Sequence, residues 1–283
     1  MDSLRKLQLT ELNILKEVLV LLEKNNINYY ALGGTMLGAA RHQGFIPWDD
    51  DIDIGLPRED YERLFQICDQ LPTHLRLRSY PDDPEYPYYI ARIVDDRISV
   101  RSDRTEIDEV TPAWIDIFPL DGLPDRALPR KIHEKNILLT RMLFQISRFD
   151  DVVNTKRTNR PLSEKIVILC AKRFHLQKLL NRYRAFRAFD RTLRHCPYSK
   201  SAYSINAMGA YKLREAFKKK VFGEGAFYDF EDIRIRGPED YEAYLTQLYG
   251  DWRTPADMTH HRIVEIVENG AEIQPCSGGG NVL

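Results

Sequence analysis

The chain has 283 residues, 43% of them hydrophobic and 29% charged, a balance that suits a soluble globular protein with a real core and excludes a disordered or fibrous one. Its formal net charge of −1 provides no global basic field, so no nucleic-acid partner is expected. Cys68, Cys170, Cys196 and Cys276 form no Cys-x-x-Cys pair and no set with histidine spacing, which argues against structural zinc and a disulfide framework and for a reducing, cytoplasmic location.

In chain order, apolar spacing predicts an amphipathic helix over residues 7–25, and the charges Arg5, Lys6, Glu11, Lys16, Glu17 and Glu23 exclude a secretory leader over residues 1–24. A strand at 29–32 runs into Gly33-Gly34-Thr35, read as a tight turn with Thr35 as the N-cap of a helix over 36–42. Such a turn aims backbone N–H groups and the positive end of a helix dipole at one point, where a nucleotide phosphate can sit. A strand at 51–56, a helix over 58–71 and strands at 75–79, 89–95 and 113–118 complete a mixed sheet, with a Pro/Asp/Tyr-rich loop at 80–88 bordering the site.

Helices over 126–149 and 161–195 follow, joined by a basic loop at 154–160, and the tail 277–283 is glycine-rich and reads as mobile. On the second helix, Lys172, Arg173, Lys178, Arg182, Arg184, Arg187, Arg191 and Arg194 surround an apolar stripe. This suits peripheral contact with an anionic inner membrane face, a packed helix with a solvated cationic side, or a groove for an anionic acceptor. No uninterrupted apolar stretch reaches the roughly 20 residues needed to cross a bilayer.

The chemistry concentrates in one acidic run. Asp51, Ile52, Asp53 and Ile54 alternate with the period of a half-buried strand, so Asp51 and Asp53 share a face. Residues two apart on a strand lie roughly 6 to 7 Å apart at the backbone, within reach of one divalent cation or a close pair. Two forced-together carboxylates need a compensating charge, most simply Mg²⁺ or Mn²⁺. A calcium loop is excluded because Ile54 stands where counting from Asp49 requires glycine. A Walker ATPase is excluded because Ala39 and Ala40 stand where Lys and Ser/Thr are required.

Gly33-Gly34-Thr35, Leu37-Gly38-Ala39, Arg41-His42, Gly44 and Ile46-Pro47-Trp48-Asp49-Asp50-Asp51-Ile52-Asp53 follow in order the long signature of the LicD family of phosphocholine transferases, bacterial relatives of fukutin and the fukutin-related protein. Trp114 to Gly122 resembles that family's second block, and Phe230-Glu231 through Pro238, Tyr241, Leu245, Tyr249-Gly250-Asp251, Pro255 and His260-His261 resembles its third. The resemblance implies an α+β fold: a DNA polymerase β-like nucleotidyltransferase core over residues 1–125, with a mixed sheet flanked by helices, and a mainly helical C-terminal subdomain over 126–283 that completes the site.

It further implies that Asp51, Asp53 and Asp116 are metal ligands and catalytic, with Asp116 able to take a proton from an acceptor hydroxyl. Local sequence agrees, since Trp-Ile-Asp-Ile-Phe alternates around Asp116, although an Asp capping a turn before Pro119 is the alternative. The donor is then a CDP-alcohol, CDP-choline first, and the acceptor a glycan or lipid-linked glycan. Gly33, Gly34, Thr35, Arg41 and His42 would bind phosphate, and Asp49 would join the metal shell or hold Arg41. Arg92 is a phosphate contact or one half of a salt bridge, His260 or His261 neutralises the leaving CMP or is structural, and Asp121 reads as a turn residue before Gly122. A quaternary ammonium would need an aromatic cage, for which Tyr86, Tyr88, Tyr89, Trp114 and Trp252 are candidates. A nucleotidyltransferase acting on an NTP uses the same carboxylates, a metal-dependent glycosyltransferase also uses Asp-x-Asp, and a silent nucleotide-binding module would retain the pocket.

Overall fold

The structure, a computed structural model, describes residues 3–80, 83, 86–102, 110–149, 169, 173, 180–255 and 264–268. The fold is mixed α+β, with six α-helices among the described residues arranged around a curled mixed sheet. Helix α1 (Ser3–Lys24) buries Leu7, Leu12, Ile14, Leu15, Val18, Leu21 and Leu22, the stripe that its periodicity demands, and ends where Asn26 takes a left-handed φ of 51°. The short strand β1 (Tyr30–Ala31), helix α2 (Gly33–His42), strand β2 (Asp53–Pro57) and helix α3 (Arg58–Gln66) follow. Helix α3 stops short of the expected residue 71, and a 3₁₀ turn at Cys68–Gln70 replaces its last part.

Strands β3 (Leu75–Arg78), β4 (Ala91–Ser102) and β5 (Val110–Leu123) come next, and the last two run well beyond their expected bounds. Beta4 bulges between Asp95 and Ser99, where the Asp95 carboxylate accepts from the Arg97 amide. Beta5 passes through Pro119 without losing a ladder bond. The Asp116 amide donates to Ile52 O on β2, so the amide position of residue 119 points the other way. There the β4 pairing has ended at Ile117 and the β6 pairing begins at Asp121, leaving Pro119 in the gap.

The order β1-β2-β5-β4-β10 is antiparallel except for the parallel β2–β5 pair. Helices α4 (Ala127–Ser147), α5 (Arg182–Leu193) and α6 (Tyr241–Tyr249) lie in the second half as expected. Strands accompany them, which the sequence reading did not place there. Strands β6 (Tyr203–Ile205) and β7 (Ala216–Lys218) extend the sheet from the end of β5, β8 (Ala226–Phe230) and β9 (Ile233–Gly237) form a hairpin, and β10 (Val264–Glu268) pairs with β4. The reason is the length of β4 and β5, whose ends leave backbone groups for later strands to satisfy.

Helix α4 packs on α5 over a second apolar cluster in which Phe144, Phe186, Phe189, Tyr80 and Tyr89 interlock. Of the expected basic helix 161–195, residues 182–193 are helical, with Asn181 capping through a bond from the Arg184 amide. Most of residues 161–179, the loop 154–160, the tail 277–283, Cys170 and Cys276 lie outside the described residues. Cys68 and Cys196 are thiols and not halves of a disulfide. No helix among the described residues is long and apolar enough to cross a membrane.

Candidate active site

The site forms where β1 hands over to α2 above the start of β2. The Leu32 amide donates to Asp53 O at 3.0 Å, and α2 begins at once with Gly33, so the two glycines lie in the first helical turn and not in a separate loop. Gly33 has a φ of +49°, and a Cβ there would stand 3.3 Å from Asp53 Oδ2. A Cβ at Gly34 would lie 2.4 Å from Asp49 Oδ2. Glycine is required because the helix start is pressed against carboxylates.

Thr35 does not cap this helix: Leu32 occupies the N-cap without a side-chain bond, and the Thr35 hydroxyl instead accepts from the Asp53 amide at 2.8 Å. The hydroxyl fixes the first residue of β2, a long-range contact that a capping pattern cannot reveal. The Gly33 amide donates to the Tyr244 hydroxyl at 3.0 Å, and the first i to i+4 bond of α2 runs from Met36 N to Leu32 O. The amides of Gly34 and Thr35 thus open the helix beside Asp49 and Asp53, where the positive end of the dipole offsets part of their charge.

Strands β2 and β5 set the acids side by side. Asp53 is the direct register partner of Asp116 in the parallel pair, and Ile52, Ile54, Ile115 and Ile117 are fully buried behind them. Oxygen atoms of Asp51, Asp53 and Asp116 lie within 4.8 Å of one another, and Asp49, Asp50 and Asp51 form a second, overlapping group. Asp116 therefore sits mid-strand and does not cap a turn. The approach to this run is pinned by Gln8 of α1, which donates to Asp49 O at 2.9 Å, and by Glu231, which accepts from the Phe45 amide and from both Nη atoms of Arg5.

Arg92 stands opposite Asp116 across the antiparallel β4–β5 pair, with Nε 2.6 Å from Asp116 Oδ1. Its guanidinium carbon lies 4.2 Å from the Tyr88 ring centroid and 4.4 Å from that of Trp114. Two of the expected cage aromatics thus already hold a cation of the protein's own. Burial works against the charge, but Asp116 outweighs it and raises the Arg92 pKa above the usual guanidinium value. Tyr86 and Tyr89 are buried in the core, near Arg78 and Arg58 respectively, and Arg253 lies over Trp252.

Arg41 and His42 lie about two turns further along α2 than the glycines. Arg41 donates through Nη1 to Trp252 O and through Nε to His42 Nε2, so His42 is a neutral acceptor there. Burial and the adjacent guanidinium both lower the His42 pKa. His260 and His261 lie outside the described residues.

The sequence reading missed a group on the far side of the glycine turn. Tyr244 is fully buried, and Tyr249 packs edge-on against Tyr211 with its hydroxyl 3.8 Å from the position of a Gly33 Cβ. Burial, with Tyr211, Asp53 and Asp49 nearby, raises the Tyr249 pKa and keeps it a neutral donor. Behind it, burial pushes the Glu215 carboxyl up to about 7, while that carboxylate accepts from the Tyr211 amide. Tyr249 stands in the third family block, but nothing local marks Tyr244 or Glu215.

Residues 26–129, which supply the glycine turn and all three acids, match the family model described as LicD/FKTN/FKRP, nucleotidyltransferase domain. The chain is similar to the lipopolysaccharide cholinephosphotransferase LicD of Haemophilus influenzae, at 28% identity over 93% of this chain and 97% of that protein. It also matches the human ribitol 5-phosphate transferase FKRP at 44% identity over 54 residues, 19% of this chain and 10% of that one. An uncharacterized protein of Rickettsia prowazekii is 54% identical over 57 residues, 20% of this chain and 21% of its own length.

Proposed function

We propose that this chain is a LicD-type phosphotransferase that moves a phospho-alcohol, phosphocholine first, from a CDP-activated donor to a hydroxyl of a cell-surface glycan or its lipid-linked precursor. The observation that carries the reading is the convergence of Asp53 and Asp116 on adjacent parallel strands with Asp51, two residues before the first of them, beside the amino end of α2. Similarity to a cholinephosphotransferase over most of the chain supports transfer of a substituted phosphate. The core would be of the polymerase β-like nucleotidyltransferase type, and the reaction would take place in the cytoplasm.

The donor set suits a hard divalent cation. Three carboxylates offer oxygen atoms within 4.8 Å of one another, and the bond from Arg92 takes up one oxygen of Asp116. Asp51, Asp53 and Asp116 would hold Mg²⁺ or Mn²⁺, which when bound supplies Lewis-acid neutralisation of diphosphate oxygens. The chain's own groups do the rest. The amides of Gly34 and Thr35 and the dipole of α2 attract the donor phosphates, with Arg41 and His42 as further contacts. The acceptor oxygen bonds to the phosphorus bearing the alcohol, the bond from that phosphorus to the CMP oxygen breaks, and CMP leaves with the electron pair. Asp116 takes the hydroxyl proton: Arg92 occupies one of about four lone-pair positions of that carboxylate, and others stay open.

Calorimetric binding of CDP-choline, CDP-ethanolamine, CDP-glycerol, CDP-ribitol, CTP and ATP, each with Mg²⁺ and with EDTA, tests the reading on the natural protein and Asp53→Ala. Metal-dependent preference for one CDP-alcohol, lost in the variant, is the expected result and names the donor. Preference for a nucleoside triphosphate would replace this reading with nucleotidyl transfer.

A further inference from the structure

Helix α4 is apolar on two sides. Its inner side buries His133, Ile137, Arg141 and Phe144 against the second cluster. At about 100° per residue, Leu128, Ile132 and Leu139 fall on the opposite side. They are 71%, 55% and 50% exposed. Single exposed aliphatic residues are ordinary, but three at spacings of four and seven line up along one helix face.

The charges along that stripe have one sign. Lys131 and Lys135 interleave with the three aliphatic residues and are both exposed. Glu134, the acid of α4, lies towards the inner flank and reaches Arg130 at 4.0 Å. Long lysine stems can lie along an apolar surface while their ammonium groups stay at its polar edge.

We infer that this face of α4 docks on an anionic lipid surface. A second copy of the chain fits less well, because self-pairing would set Lys131 and Lys135 of both copies together with no acid on the face to offset them. A folded protein partner would need a far larger patch, since a stable interface buries about 800 Å² on each side. A bilayer asks for less: shallow immersion of a few aliphatic side chains, with cations at headgroup level. The sequence reading offered membrane contact on the basic helix over 161–195 as one of three alternatives; the exposed stripe is a different surface, on α4. The inference is independent of the chemistry proposed above, although it would bring the enzyme to lipid-linked acceptors.

The test is co-sedimentation of the full chain with vesicles of phosphatidylcholine alone and with phosphatidylglycerol added, alongside size-exclusion chromatography. The natural protein should bind the anionic vesicles about tenfold better than the neutral ones, and high salt should weaken binding. The combined variant Leu128→Glu, Ile132→Glu and Leu139→Glu should lose binding about tenfold or more while keeping its thermal melting transition and its CDP-alcohol affinity. Lys131→Glu with Lys135→Glu should reduce anionic binding and leave the apolar stripe intact; this pair and Ile132→Glu alone decide the matter if the triple variant does not fold. Absence of vesicle binding, undiminished binding by the variants, or a dimer that the triple variant converts to monomer would each overturn the inference.

Discussion

Asp116 and Asp121 lie on one strand, β5, and point to opposite sides of it. Burial does not separate them, since they are 6% and 1% exposed. Partners do. Arg58 grips both oxygens of Asp121, with Nε at 2.6 Å and Nη2 at 2.9 Å, and passes through the Tyr89 hydroxyl to Asp190, which Arg194 holds in turn. Every charge in that chain has an opposite neighbour, and the network ties α3 and β5 to α5. Asp116 has a single arginine bond and two acids on its other side. A buried acid closed off by cations is structural, whereas one grouped with two further acids offers the oxygen set that an added cation would need. Asp121 is therefore not the turn residue that its place before Gly122 suggests; β5 runs on to Leu123.

The comparison breaks most visibly in activity. Asp116→Asn should lower phosphotransfer about 10³-fold and leave the unfolding midpoint nearly unchanged, because a repelling charge is removed where an amide can still accept from Arg92. An assay with the cognate donor beside a thermal melt checks both halves. Asp121→Ala should do the reverse. It leaves the Arg58 guanidinium buried and poorly compensated, so urea unfolding should show a loss of about 3–5 kcal/mol, with residual activity per folded molecule close to normal.

Glu215 sharpens the contrast through pH. Its folded carboxyl titrates at about 7, above the value of an unfolded glutamate, so between roughly pH 4.5 and 7 the native state holds a proton that the unfolded state has released. Stability should fall as pH rises through that window, by up to about 3 kcal/mol. Glu215→Gln should remove the effect: its stability relative to the natural protein should rise from pH 5 to pH 8, as followed by denaturant titration. The smallest effect is expected at Tyr249. Tyr249→Phe deletes one neutral donor near Asp53 and should change kcat/KM by roughly fivefold with no change in stability at the Arg58 network.

Local pattern made much of this legible. The stripe of α1, the alternation around Asp53 and Asp116 and the close-packed glycines each depend on neighbours in sequence, where period and residue size act directly. The motif order pointed to the family whose model matches residues 26–129, and the three carboxylates stand close together in space. The longer reach of β4 and β5, and the strands of the second half that join them, were not legible, because backbone pairing depends on which distant edge is free.

The sequence by itself determined which residue types would carry the proposed chemistry, since carboxylates two apart in an alternating run repel unless something compensates them. Tertiary structure decided what each charge is for. Arg92 meets Asp116 through strand register, Arg58 meets Asp121 across a helix–strand contact, and Thr35 turns to the Asp53 amide and away from its own helix. Those assignments rest on distances between residues far apart in the chain, and electrostatic energy depends on distance in space.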